Sequence, residues 1–111
     1  MSKSSTTIED PAFDGLPAIH PGQILAEEIE TLGLSATALA RALDVTPTRI
    51  SEIVRERRGI SAETALRLAR FFGTTPRFWM NLQASYDTKI AYQSHRDSIA
   101  QIRPAEPLLQ S

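Results

Sequence analysis

The stretch SATALARALDVTPTRISEIVRERR, residues 35–58, decides the fold. Ala36, Leu39, Ala40 and Leu43 recur at helical spacing and lay one apolar stripe along a short helix. Asp44-Val45 interrupts the pattern. Thr46-Pro47 restarts it, with threonine as N-cap and proline at the first helical position, where its missing N–H costs nothing. Ile50, Ile53 and Val54 form the buried stripe of the second helix. Outside that stripe lie Thr46, Thr48, Arg49, Ser51, Glu52 and Arg55, hydrogen-bonding side chains on a short helix. Two short helices, a tight turn and a polar outer face on the second helix make a helix-turn-helix. That arrangement suits the edges of bases in a DNA major groove.

Working outward, the same rules predict three more helices. One starts at Pro21 and runs to about Leu32, with Ile24, Leu25, Glu28, Ile29 and Leu32 on one side and Gly33 ending it. Gly59 breaks the chain after Arg57-Arg58. A fourth helix opens at the N-cap Ser61, with Glu63 one place earlier than a strict capping box requires. Its stripe is Ala65, Leu68, Ala69 and Phe72, and Gly73 stops it. Thr75-Pro76 caps the fifth, whose large residues are Phe78, Trp79, Leu82 and Tyr86. Beyond Asp87 the periodicity weakens. Ile90, Ala91, Ile99 and Ile102 allow one further C-terminal helix before Pro104 and Pro107. No strand is expected, so the fold class is all-α. Residues 1–18 read as a flexible N-terminal tail in which Phe13 and Leu16 are able to dock, 19–92 as the domain, and 93–111 as a C-terminal extension.

A chain of 111 residues with 41% hydrophobic and 23% charged content fits one domain with one modest core. No apolar run approaches a membrane span, and no secretory signal is visible at the N-terminus. The sequence has no cysteine, which excludes disulfides and thiolate metal sites and fits an expected cytoplasmic location. Net charge is −1, yet the charge is segregated. Residues 1–34 carry −5. Residues 41–77 carry +4, from eight arginines (41, 49, 55, 57, 58, 67, 70 and 77) against Asp44, Glu52, Glu56 and Glu63. A local basic surface, not the total, governs contact with phosphates.

Roles divide along the second helix of the motif. Thr46, Thr48, Arg49 and Glu52 are the base-reading candidates: arginine bridges guanine O6 and N7, glutamate accepts from cytosine N4, and a threonine methyl touches thymine. For Glu52 a second role stays open, that of pairing with an arginine neighbour and orienting it. Ser35, Thr37, Ser51, Arg55, Arg57 and Arg58 are the phosphate candidates, Ser35 and Thr37 through the amides at the start of their helix. Arg41, Arg67 and Arg70 are expected to be solvated. His20 and His95 lack metal-ligand spacing, and His20 is expected to cap the first helix. No catalytic constellation emerges, so no enzyme, cofactor or metal is expected.

HPGQIL at 20–25, the helix-turn-helix at 35–55, RRGISAETALRLARFFGTTPRFWMNLQ at 57–83 and YDTKIA at 86–91 resemble the HigA-type antitoxins. These belong to the XRE (Cro/repressor-like) group, and the similarity spans residues 19–92. The resemblance implies a lambda-repressor-like five-helix domain that forms a homodimer. It implies a palindromic double-stranded operator in the chain's own promoter. It also implies a protein partner, a HigB-type toxin that cleaves messenger RNA in the RelE manner. The fifth helix would then supply the dimer interface through Phe78, Trp79, Asn81, Leu82, Gln83 and Tyr86, although Trp79 is by default a core residue. Glu27, Glu28 and Glu30 are either a solubilising face or a contact for a basic toxin. The alternative is a stand-alone XRE repressor without a toxin. One departure from the family pattern is Asp44, where relatives usually carry glycine; aspartate tolerates the left-handed backbone better than most residues.

Overall fold

The computed structural model describes residues 16–105. Among them are five helices and no strand: α1 (Pro21–Leu32), α2 (Ala36–Leu43), α3 (Pro47–Val54), α4 (Ala62–Phe72) and α5 (Pro76–Ala100). Each begins on a side-chain cap. His20 Nδ1 accepts from the Gly22 amide at 2.9 Å, and Ser35 Oγ from the Ala38 amide at 3.0 Å. Thr46, Ser61 and Thr75 accept in turn from the amides of Arg49, Thr64 and Phe78. A cap of this kind stabilises a helix by about 1 kcal/mol. Ser61 bonds to Thr64 while Glu63, one place early for a capping box, turns to Arg67 instead.

Three helices end in the left-handed region. Gly33 and Gly73 have φ of 69° and 74°. Asp44 has φ 59° and ψ 48°, and its amide together with that of Val45 closes the last turn of α2. The aspartate ends α2 in a conformation uncommon for a residue with a Cβ.

One core holds the helices together. Leu25 of α1, Leu39 of α2, Ile50 and Ile53 of α3, Leu68 of α4 and Trp79 of α5 are all fully buried. Each such side chain contributes about 1.5–3 kcal/mol relative to exposure. Trp79 packs beside Phe72, and its indole N–H donates to Thr74 Oγ1 at 2.9 Å. The start of α1 presses on the end of α3: a methyl group on Gly22 would lie 1.9 Å from the Ile53 carbonyl oxygen. Only glycine permits that approach.

One expectation is corrected. Arg67 is not simply solvated: its Nη1 donates to the Leu43 carbonyl at 2.9 Å, satisfying the end of α2, and its Nε and Nη2 hold Glu63. At the C-terminus, where the sequence allows a further helix, α5 continues past Asp87 to a kink at His95 (φ −126°), and a short helical piece follows it to Ala100. The pattern weakens after Asp87 because that half of α5 buries little, and an apolar stripe is written only where a helix packs. Leu16 is exposed, and Phe13, Pro107 and the rest of both termini lie outside the described residues.

Candidate nucleic-acid interface

α2 and α3 pack as a helix pair through Leu39, Leu43, Ile50 and Ile53, which fixes the orientation of α3. At about 100° per residue, Thr48 and Glu52 lie opposite the Ile50–Ile53 stripe. They form the outermost line of the helix, with Arg55 next along it. Arg49 and Ser51 fall on the two flanks. Thr46, Thr48 and Arg55 are exposed, and Ser51 and Glu52 are half-buried.

Arg49 sits lower than the sequence suggests. Its side chain is 28% exposed, and Nη1 lies 3.6 Å from Glu63 Oε1 on α4. Glu63 is in turn gripped by Arg67, which hangs from the Leu43 carbonyl. A chain of contacts thus runs from the end of α2 through α4 to the flank of α3. Sequence reasoning missed Glu63 and Arg67 as neighbours of the reading face. The available signal was the early position of Glu63 relative to its cap.

Glu52 is paired with an arginine, Arg58. Arg58 donates from Nε at 2.8 Å, and its Nη2 lies 2.7 Å from the same oxygen, Oε1. Arg57 and Arg55 are exposed beside this pair. Ser35 spends its hydroxyl on the α2 cap, and Thr37 is exposed at the start of that helix. The reading candidates on α3, Arg55 at its end, and Arg57 and Arg58 in the loop after it lie along one short stretch. Most are exposed, so a polyanion can reach them.

The six candidates for a dimer seam separate. Trp79 is buried inside the protomer and presents nothing outward, and Leu82 leans on the core. Gln83 is also engaged internally: its Oε1 accepts from the Ile60 amide at 2.6 Å, and its Nε2 donates to Asp87. Tyr86 stands edge-on to the His20 ring at 4.8 Å. These four serve the fold because they lie on the side of α5 facing α1, α4 and the loop before α4. Phe78 and Asn81 are exposed. Among the described residues, no cluster of histidine, cysteine and acidic side chains is suited to a metal, and no helix is long and apolar enough to cross a membrane.

A helix-turn-helix family model matches residues 25–79. Virulence-associated protein I of Dichelobacter nodosus is 61% identical over 79 residues, which is 70% of this chain and 73% of that protein. An addiction-module antidote protein of the HigA family from Coxiella burnetii is 47% identical with a TM-score of 0.79, over 81% of this chain and 100% of its own. Pseudomonas aeruginosa antitoxin HigA, solved with the higBA promoter, is 47% identical with a TM-score of 0.77, over 79% of this chain and 98% of its own. The capped five-helix fold, the polar face of α3 and these relatives agree, and the chain belongs to the HigA family of helix-turn-helix antitoxins.

Proposed function

We propose that this chain is the antitoxin of a HigBA-like type II toxin–antitoxin pair and represses its own operon. The observation that carries the reading is the outer face of α3, a line of polar side chains on a helix whose opposite side is locked into the core. Its operator role draws support from the Pseudomonas relative solved with promoter DNA. Thr46, Thr48, Arg49 and Glu52 are assigned to base edges. Thr37, Ser51, Arg55 and Arg57 are assigned to phosphates, with Ser35 contributing through the α2 N-terminus.

Repression by a homodimer at a palindrome requires two reading helices about 34 Å apart, one turn of DNA. The exposed residues Phe78 and Asn81 on α5 are the side chains assigned to that seam. The partner to be neutralised is a RelE-like messenger-RNA-cleaving toxin. The test is co-expression with the product of the adjacent gene. Co-purification of a small basic protein, with relief of its toxicity, is the expected result. A neighbour that neither binds nor harms the cell would leave a stand-alone repressor.

A further inference from the structure

We propose that Arg58 sets the sequence preference of α3 by acting through Glu52. The two form one reading unit, whose carboxylate accepts from an exocyclic amino group of a base in the major groove, cytosine N4 foremost. The proposal rests on the DNA-reading role assigned above.

The chain is shaped to bring these residues together. After Val54 it reverses at Glu56, which takes φ 64° in the left-handed region, an uncommon conformation for glutamate. The Glu56 amide donates to the Ile53 carbonyl at 2.9 Å, and the Arg57 amide to the Glu52 carbonyl at 2.8 Å. That turn carries Arg58 back over a side chain six positions earlier. Downstream, Gln83 pins the Ile60 amide to α5 at 2.6 Å. Arg58 is therefore held from both sides of its loop.

The contact chemistry fits a positioning role better than a plain phosphate clamp. Two prongs of the guanidinium meet one oxygen, Oε1, at 2.7 and 2.8 Å. Two donors from a planar group hold Oε1 in place. Oε2 is left to accept. An unpaired carboxylate on the outermost line of α3 would be repelled by the phosphates flanking a major groove. Paired with Arg58 it presents acceptor lone pairs with little net charge. The pair is exposed enough (49% for Arg58, 38% for Glu52) to meet a base, and too exposed to be a major source of fold stability.

Selection from a pool of random-sequence duplexes tests this, using the full chain as wild type, Arg58→Ala, Glu52→Ala and the double variant. Circular dichroism verifies that the helices persist in each. The wild type should enrich a two-fold motif. Glu52→Ala should flatten one position per half-site, lowering the favoured-to-disfavoured ratio there by about five-fold or more. Arg58→Ala should flatten the same position, and the double variant should flatten it no further. Arg58→Lys keeps the charge without the fork, so it should flatten that position while leaving the salt dependence of binding as in the wild type. An Arg58→Ala protein that binds every sequence more weakly with an unchanged motif would overturn the positioning role alone. A wild type that enriches no motif would overturn the DNA-reading role, and this one with it.

Discussion

Gly22→Ala inserts a methyl group where α1 meets the last turn of α3. The added carbon would sit 1.9 Å from the Ile53 carbonyl oxygen, against 3.4–4 Å for ordinary contact, so the helices must part by about 1.5 Å. The obstacle is backbone and cannot rotate aside, and the Ile53 side chain beneath it is fully buried. Overpacking of this kind costs about 1–3 kcal/mol, and the rigid neighbour places it at the upper end. Alanine's better helix propensity offsets at most about 1 kcal/mol. The net loss is about 2 kcal/mol, which lowers Tm by roughly 8–16 °C in a domain of this size. A thermal melt followed by circular dichroism measures it. Gly→Ala at an unstrained helical position stabilises instead, by about 0.4–1 kcal/mol. An unchanged or raised Tm would therefore refute the close approach of α1 and α3 through its sign.

Three further outcomes follow from the same contacts. Arg49→Ala should weaken operator binding and relax preference at one position, as footprinting would reveal; an identical footprint and affinity would remove Arg49 from the reading set. Arg57→Ala should weaken binding to all duplexes alike and reduce the slope of log K against log salt by about 0.9 per protomer, about 1.8 for the dimer. An unaltered slope would mean that Arg57 does not touch phosphate. Gln83→Ala leaves the Ile60 amide without its acceptor, which should cost about 1–2 kcal/mol and speed hydrogen exchange at Ile60; unchanged protection there would count against the loop anchor.

The fold was legible because local rules and burial agree over most of the chain. All five N-caps are residues whose chemistry announces them, including His20 beside Pro21, and the stripes of α2 to α4 match the buried or half-buried residues, whereas in α1 Leu25 and Ile29 are buried but Glu28 and Leu32 are exposed. What escaped has a physical reason in each case. The outer half of α5 packs against little, so its sequence carries only a weak periodic trace of being helical. The hydrogen bond from the Ile60 amide to Gln83 was not legible because only the folded loop brings the two together. The Arg58–Glu52 pair depends on a left-handed Glu56, which no sequence rule for glutamate anticipates. Gly22 is visible in the sequence as a glycine near a helix start, but its reason, the Ile53 carbonyl, lies 31 positions further along the chain.

The central claim is that α3 reads a specific sequence in the promoter of this chain's own gene. The most direct measurement is the affinity of the full-length protein for a duplex from that upstream region and for a scrambled duplex of equal length, at one physiological salt concentration. The promoter duplex should bind tighter by at least about 10³-fold, with Thr48→Ala and Glu52→Ala narrowing the gap. Equal affinity for the two duplexes would contradict it.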